Sequence, residues 1–191
     1  MKVTFVLPGY ARKPVGGIRV VYSYANGLAA LGHEVTVVHV ALLRRWPRIR
    51  DGRLRSQLKE LLAGCRDVLW GAPDAVTWQH VDPAVHLQYA PVLASRSVPD
   101  GDAVVATAWQ TADGVAALGA EKGRGAYLIQ HHEIWSGRPA RVDETWRLPL
   151  RKIVIARWLE TRAHAMELED VCRVPNGLDT ATFRVTQPIV G

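Results

Sequence analysis

The sequence predicts a doubly wound α/β domain, with a mainly parallel Rossmann-like sheet and helices on both faces, on three observations. Short apolar runs typical of buried strands alternate with segments of helical periodicity along the 191 residues. Strand, helix and strand signals fit within roughly the first 40 residues, which is the βαβ unit of a parallel sheet. With 48% hydrophobic and 22% charged residues, the composition is that of a folded water-soluble protein and excludes collagen-like and disordered chains.

The N-terminal βαβ unit carries the clearest signals. Val3–Leu7 is an apolar run closed by Pro8-Gly9, and it predicts a buried strand. A glycine-containing loop follows, and Val35–Val40 predicts the second strand. Apolar residues at steps of three and four predict an intervening helix that Gly32 ends: Val20, Val21, Tyr24, Leu28 and Leu31.

The same alternation continues to the end of the chain, which supports one domain over residues 1–185. It predicts helices over 54–69, 111–118 and 157–168, and strands over 85–89, 103–107, 126–130, 152–156 and 171–174. Ligands of such sheets bind beyond the carboxyl ends of the strands, so the residues that follow each strand are the candidate site residues.

The loop after the first strand ends in Gly16-Gly17, at the start of the predicted helix. Glycine lets a ligand approach the backbone closely, and a helix N-terminus presents unpaired N–H groups to an anion. Two interpretations stay open, a phosphate or diphosphate site and a turn without a ligand. The GxGxxG pattern and the acidic residue of a dinucleotide-binding fold are missing, because the second strand ends at His39-Val40. A P-loop is missing as well, so an NAD enzyme and an NTPase are disfavoured.

The N-terminal run of five apolar residues is shorter than the core of a signal peptide, and no stretch approaches the roughly 20 apolar residues that span a bilayer. Cys65 and Cys172 form no CxxC pair, which predicts two reduced thiols. We therefore expect a cytoplasmic protein.

Two regions resemble the N-terminal domain of retaining GT-B glycosyltransferases of the group 1, or family-four, type. The first is Gly16-Gly17-Ile18 with the segment 26–38, NGLAALGHEVTVV. The second is the segment 153–159, IVIARWL, followed by 174–179, VPNGLD, and Phe183. The segments 104–109, VVATAW, and 127–133, YLIQHHE, are similar to the same family, so the resemblance covers nearly the whole chain.

The resemblance implies half of an enzyme that transfers a sugar from a nucleotide-sugar donor to a glycan, a lipid-linked or a small-molecule acceptor. Such enzymes react between two Rossmann-like domains, and the second domain holds most of the donor. We expect this acceptor-side domain alone to be inactive, with residues 186–191 starting the interdomain linker and the donor-binding domain absent from this chain. The resemblance assigns Gly16 and Gly17 to the donor phosphates, with no metal or other cofactor.

The resemblance also places a cleft histidine after the fifth strand, at His131, His132 and Glu133. Adjacent residues of an extended segment point to opposite sides, so at most one of the two histidines is expected in the cleft. We favour His131 as the catalytic residue, with His132 and Glu133 lining the cleft; a solvated or structurally bonded pair is the alternative. His-His-Glu in a strand cannot converge on one ion, which argues against a metal site.

Three further residues follow strands and are candidates for contact with the acceptor. Trp109 and Gln110 follow the strand at 103–107, where the indole would stack on a sugar ring or, as the simpler interpretation, pack against the helix. Asn176 begins an Asn-Gly turn that resembles a family turn near the cleft.

The net charge of +6 comes from two basic segments. Residues 44–55 carry +5 and residues 138–162 carry +4, so the remainder is slightly acidic. In the first segment, Arg44, Arg45, Arg48 and Arg50 surround Trp46, a composition suited to peripheral contact with an anionic inner membrane face. A solvated loop is the alternative. No motif of nucleic-acid recognition accompanies the charge, so we expect no nucleic acid partner.

A stand-alone, non-catalytic module that binds a sugar or an anion is the rival to the transferase. No GxSxG or other nucleophile signature supports a hydrolase.

Overall fold

A computed structural model describes residues 1–42 and 76–177, and within them the chain forms one seven-stranded parallel sheet. The doubly wound α/β class predicted from the sequence is confirmed. The strands are β1 Lys2–Leu7, β2 Glu34–Leu42, β3 Val85–Val92, β4 Ala103–Ala106, β5 Arg124–Ile129, β6 Arg151–Val154 and β7 Val171–Arg173.

Four α-helices of the described residues cover the faces of this sheet. They are α1 Gly16–Ala30, α2 Trp109–Ala116, α3 Pro139–Trp146 and α4 Arg157–Ala165. Short 3-10 turns at Ser95–Ser97 and Ala120–Lys122 precede β4 and β5.

The strand order is β3-β2-β1-β4-β5-β6-β7. The strands β2 and β3 therefore lie on one side of β1, and β4 to β7 follow one another on its other side. Val6 pairs with Val38 of β2 and with Ala106 of β4, which places the topological switch point at the carboxyl end of β1. Thr107 joins the two halves there, because its Oγ1 donates to the Val6 carbonyl over 2.8 Å. A crevice at a switch point is where ligands of such sheets bind.

The period of two along each strand divides the core between the two faces of the sheet. Phe5 and Leu7 pack with Val21, Tyr22 and Ala25 of α1 on one face. Val6 faces the opposite way, toward the core that α2, α3 and α4 cover with these buried residues: Ala112, Val115, Val142, Trp146, Leu159 and Ala163. Helices therefore lie on both faces.

The predicted strands all occur, with ends that move by one to three residues. The predicted helix over 54–69 lies outside the described residues. The first helix begins at Gly16, before its first predicted apolar residue, Val20. The helix α3 was not predicted; it has only eight residues, starts with Pro139 and buries one stripe formed by Val142, Thr145 and Trp146.

Candidate functional site

The carboxyl edge of the sheet gathers most of the residues that the sequence singled out. Gly16 and Gly17 follow β1, Trp109 and Gln110 follow β4, the 131–133 segment follows β5, and Asn176 lies beyond β7. The strands β1, β4, β5, β6 and β7 are consecutive neighbours in the sheet, so these segments lie along one edge. The basic segment with Arg44, Arg45, Trp46, Arg48 and Arg50 lies outside the described residues.

The helix α1 begins at this edge without a cap. Val15 is its N-cap and provides no side-chain hydrogen bond, and the first turn contains no acidic residue. Gly16 is exposed, and a Cβ atom built on it would have no neighbour within 4 Å among the described residues. Since the first backbone N–H groups of a helix lack partners within it, this terminus presents free donors and the positive end of the helix dipole.

The side chain of Gln130, which follows β5, reaches across the switch point and bonds to Gly17. Its Nε2 donates to the Gly17 carbonyl over 3.0 Å, and a Cβ atom on Gly17 would lie 3.4 Å from the same nitrogen. The Cβ distance is an ordinary van der Waals contact, so it is the hydrogen bond to its carbonyl that gives Gly17 a structural role. Gln130 was not predicted as a site residue, because it was assigned to the end of a strand.

The loop between β1 and α1 is anchored by two ring N–H groups. His39 Nδ1 lies 3.1 Å from the Gly9 carbonyl, and Trp78 Nε1 donates to the Ala11 carbonyl over 2.8 Å. Gly9 takes a φ of +96°, which favours glycine. The loop that leads to Gly16 is therefore fixed from β2 and from the segment before β3.

His39 is 2% exposed and sits in a cluster of aromatic rings at the ends of β2 and β3. Because a carbonyl only accepts, Nδ1 carries the proton, and Tyr22 Oη donates to Nε2 over 3.3 Å. The Tyr89 ring stacks on the imidazole with centroids 4.9 Å apart. Burial lowers the pKa of His39 to about 4, although the hydrogen bond to Gly9 opposes this. His39 is therefore neutral at pH 7 and serves to hold the loop.

Acidification should destabilise the domain through His39. Its pKa rises from about 4 in the folded chain to an ordinary 6.5 on unfolding, so the unfolded chain takes up the proton first. The neutral ring thus contributes its full stability above pH 6.5, and this contribution falls by about 2 kcal/mol at pH 5. Urea unfolding at pH 7 and pH 5 should show the loss, and His39→Gln should reduce the difference between the two pH values. An unchanged difference in His39→Gln would assign the effect to other groups.

Trp109 and Glu133 form a polar link between the ends of β4 and β5. The Trp109 backbone N–H donates to Glu133 Oε2 over 3.2 Å, and its indole N–H donates to Ser136 Oγ over 2.9 Å. Burial raises the pKa of Glu133, while the Trp109 N–H and His131 act in the opposite direction. The Glu133 carboxylate therefore lies at the first turn of α2 and accepts a hydrogen bond from its first backbone N–H group. Gln110 follows, and its buried Oε1 has no hydrogen-bond partner among the described residues.

The two histidines after β5 have different surroundings, as expected for neighbours in an extended segment. His131 is exposed and lies against two indoles, with ring centroids 4.5 Å from Trp135 and 5.0 Å from Trp158. His132 is 8% exposed, and its ring meets the Trp146 ring edge-on.

The ion pair between Asp143 and Arg162 fixes the orientation of the His132 ring. Its Nε2 donates to Asp143 Oδ1 over 2.8 Å, and an Arg162 nitrogen donates to the same oxygen over 3.0 Å. Burial acts to raise the pKa of Asp143, but the hydrogen bonds from Arg162 and His132 outweigh it and hold that pKa below its usual value. The carboxylate stays ionised and orients the imidazole through its Nε2–H group. Asp143 and Arg162 were not predicted, since they lie far from His132 in the sequence.

Large exposed apolar side chains concentrate at the same edge. Outside it, the described residues expose Met1 and Leu31, both at the amino edge. The carboxyl edge exposes Val15, Val92, Ile134, Trp135, Trp158 and Val174. Exposed apolar side chains gathered at one edge of a sheet are candidates for contact with a ligand or with another domain.

Within residues 1–42 and 76–177, no three His, Cys, Asp or Glu side chains group in a way that could hold a metal ion. Across the same residues, no helix is both long enough and apolar enough to span a membrane. Comparisons with models of protein families, with characterised proteins and with solved structures find no match.

Proposed function

We propose that the chain is the N-terminal, acceptor-side domain of a retaining GT-B glycosyltransferase. The observation that carries this is the uncapped N-terminus of α1 at the switch point, where Gly16 leaves the backbone open to an approaching anion. The family resemblance assigns this position to the donor diphosphate. The apolar carboxyl edge further supports the proposal, since a second domain would close against it.

In this proposal the chain contributes to catalysis by stabilising the departing diphosphate. Negative charge grows on the phosphate oxygens as the bond to the sugar breaks, and preorganised N–H groups lower the energy of that state. The N–H groups of the first turn of α1 would supply part of this stabilisation, with the helix dipole aligned toward the phosphate. Gln130 and His39 keep the terminus and its loop in place, so little reorganisation accompanies the reaction.

The segment after β5 would bind the sugars. His131 is proposed to hydrogen-bond a hydroxyl of the donor sugar or the acceptor, while the buried His132, bonded to Asp143, would hold the segment in place. Glu133 stays engaged with Trp109, so its proposed role is to position the loop.

The sequence that the gene encodes after Gly191 tests the proposal against a stand-alone sugar- or anion-binding module. The module is favoured by one observation, that the described residues already cover both faces of the sheet. A second βαβ series with a pair of glutamates after Gly191 is the expected result. A stop codon at that position would instead support the module.

A further inference from the structure

Three aromatic rings form an exposed cluster at the carboxyl edge, and we refer to Trp135, His131 and Trp158 as the aromatic platform. The His131 ring lies between the two indoles at interplanar angles of 60° and 67°. Trp135 is 68% exposed and Trp158 is 48% exposed. Exposed aromatic rings that contact one another form a patch, and exposed apolar patches mark interaction sites.

The platform is held by two elements of the fold. Trp135 belongs to the loop after β5, which the Trp109–Ser136 hydrogen bond fixes at its next residue. Trp158 lies in the first turn of α4, directly after β6. Because β5 and β6 are neighbouring strands, the rings meet across the two loops and contact each other before any ligand arrives. Little side-chain entropy would be lost on binding.

The chemistry of the platform selects among ligands. Arg138 and Arg157 are exposed beside it in sequence, and neither guanidinium pairs with a carboxylate among the residues described here. Two cationic groups disfavour the cationic ligands that aromatic cages otherwise hold. The ring nitrogens of His131 make no hydrogen bond to a described residue, so they are available to a ligand that carries hydroxyl groups.

The geometry points to a pyranose-binding subsite at the aromatic platform. One face of a pyranose ring presents C–H bonds that pack on the negative face of an indole, while its hydroxyls at the rim reach the imidazole. The role of this sugar as the acceptor rests on the proposed function, and it selects a glycan acceptor over a ring-free small molecule. Binding itself needs neither a donor nor a second domain.

Saturation-transfer NMR on the 191-residue chain tests the subsite. The probes are the methyl glycosides of glucose, galactose, mannose, rhamnose and N-acetylglucosamine. At least one should receive saturation at its ring C–H protons, and Trp135→Ala and Trp158→Ala should each lower that transfer about fivefold or more. Trp135→Phe should retain most of it. Leu31→Ala, an exposed apolar change at the opposite edge, should leave it intact.

Three results would overturn the subsite. They are saturation transfer to none of the five glycosides, transfer that survives both alanine variants, and Trp135-dependent sedimentation with phosphatidylcholine–phosphatidylglycerol vesicles without any transfer to sugar. The last would assign the platform to a lipid surface. Each leaves the proposed function standing if a donor-binding domain follows Gly191, so the two failures are separable.

Discussion

Replacing Trp146 by alanine should destabilise the domain by about 3–5 kcal/mol, because it removes a fully buried indole from the core beneath α3. The ring packs among residues of three helices and meets His132 edge-on, with centroids 5.6 Å apart. Few neighbours could collapse into the cavity without moving α3. The free energy of unfolding from urea titration at pH 7 measures the loss.

Two further variants separate burial from ring chemistry. Trp146→Phe keeps most of the apolar surface and removes an indole N–H that has no partner in the described part of the chain, so the expected cost is about 1 kcal/mol or less. Trp158→Ala makes the same truncation at a side chain that is 48% exposed and should cost less, about 1–2 kcal/mol. Equal losses at Trp146 and Trp158 would contradict the burial assigned to α3.

Introducing aspartate at Gly16 should change stability and donor use in opposite directions. The fold has open space for the side chain, and an acidic residue in the first turn of α1 should stabilise the helix by about 0.3–1 kcal/mol. The same carboxylate would stand where the donor diphosphate is proposed to bind. Repulsion of about 3 kcal/mol corresponds to a loss of roughly 100-fold in kcat/KM for the donor. Thermal unfolding and initial rates of the whole gene product with UDP- and GDP-linked hexoses measure the two effects.

Gly27→Asp is the matched control, since it places the same charge near the other end of α1, again with no neighbour within 4 Å. Its donor kinetics should equal those of the wild type, and the negative charge at the helix C-terminus should lower stability slightly. Donor kinetics that are equal in both aspartate variants would remove the α1 terminus from the donor site.

Most of the fold could be predicted because buried parallel strands are read as apolar runs. Val3–Leu7 and Val35–Val40 are such runs, and both are strands of the sheet. The short helix α3 carries only one buried stripe within eight residues, which is too little periodicity to recognise.

The candidate site was predicted less completely, for a geometric reason. The Gly16-Gly17 pair can be recognised from the local sequence, because glycine is typical of such a turn, and α1 does begin at Gly16. The side chains that hold the site in place are distant in the sequence from the residues they contact. Gln130 reaches Gly17 and His132 reaches Asp143 only after the sheet has aligned, and such pairs leave no local pattern in the sequence. His39 was hidden inside an apolar strand, where its neutral, buried state could not be recognised.

Sugar transfer with anomeric analysis of the product tests the central claim most directly. The 191-residue chain and the whole gene product would each be incubated with nucleotide-linked hexoses and glycoside acceptors. The whole product should form a glycoside with the anomeric configuration of its donor, and the chain alone should form none. Turnover by the 191-residue chain alone, or a product of inverted configuration, would contradict its assignment as the acceptor half of a retaining transferase.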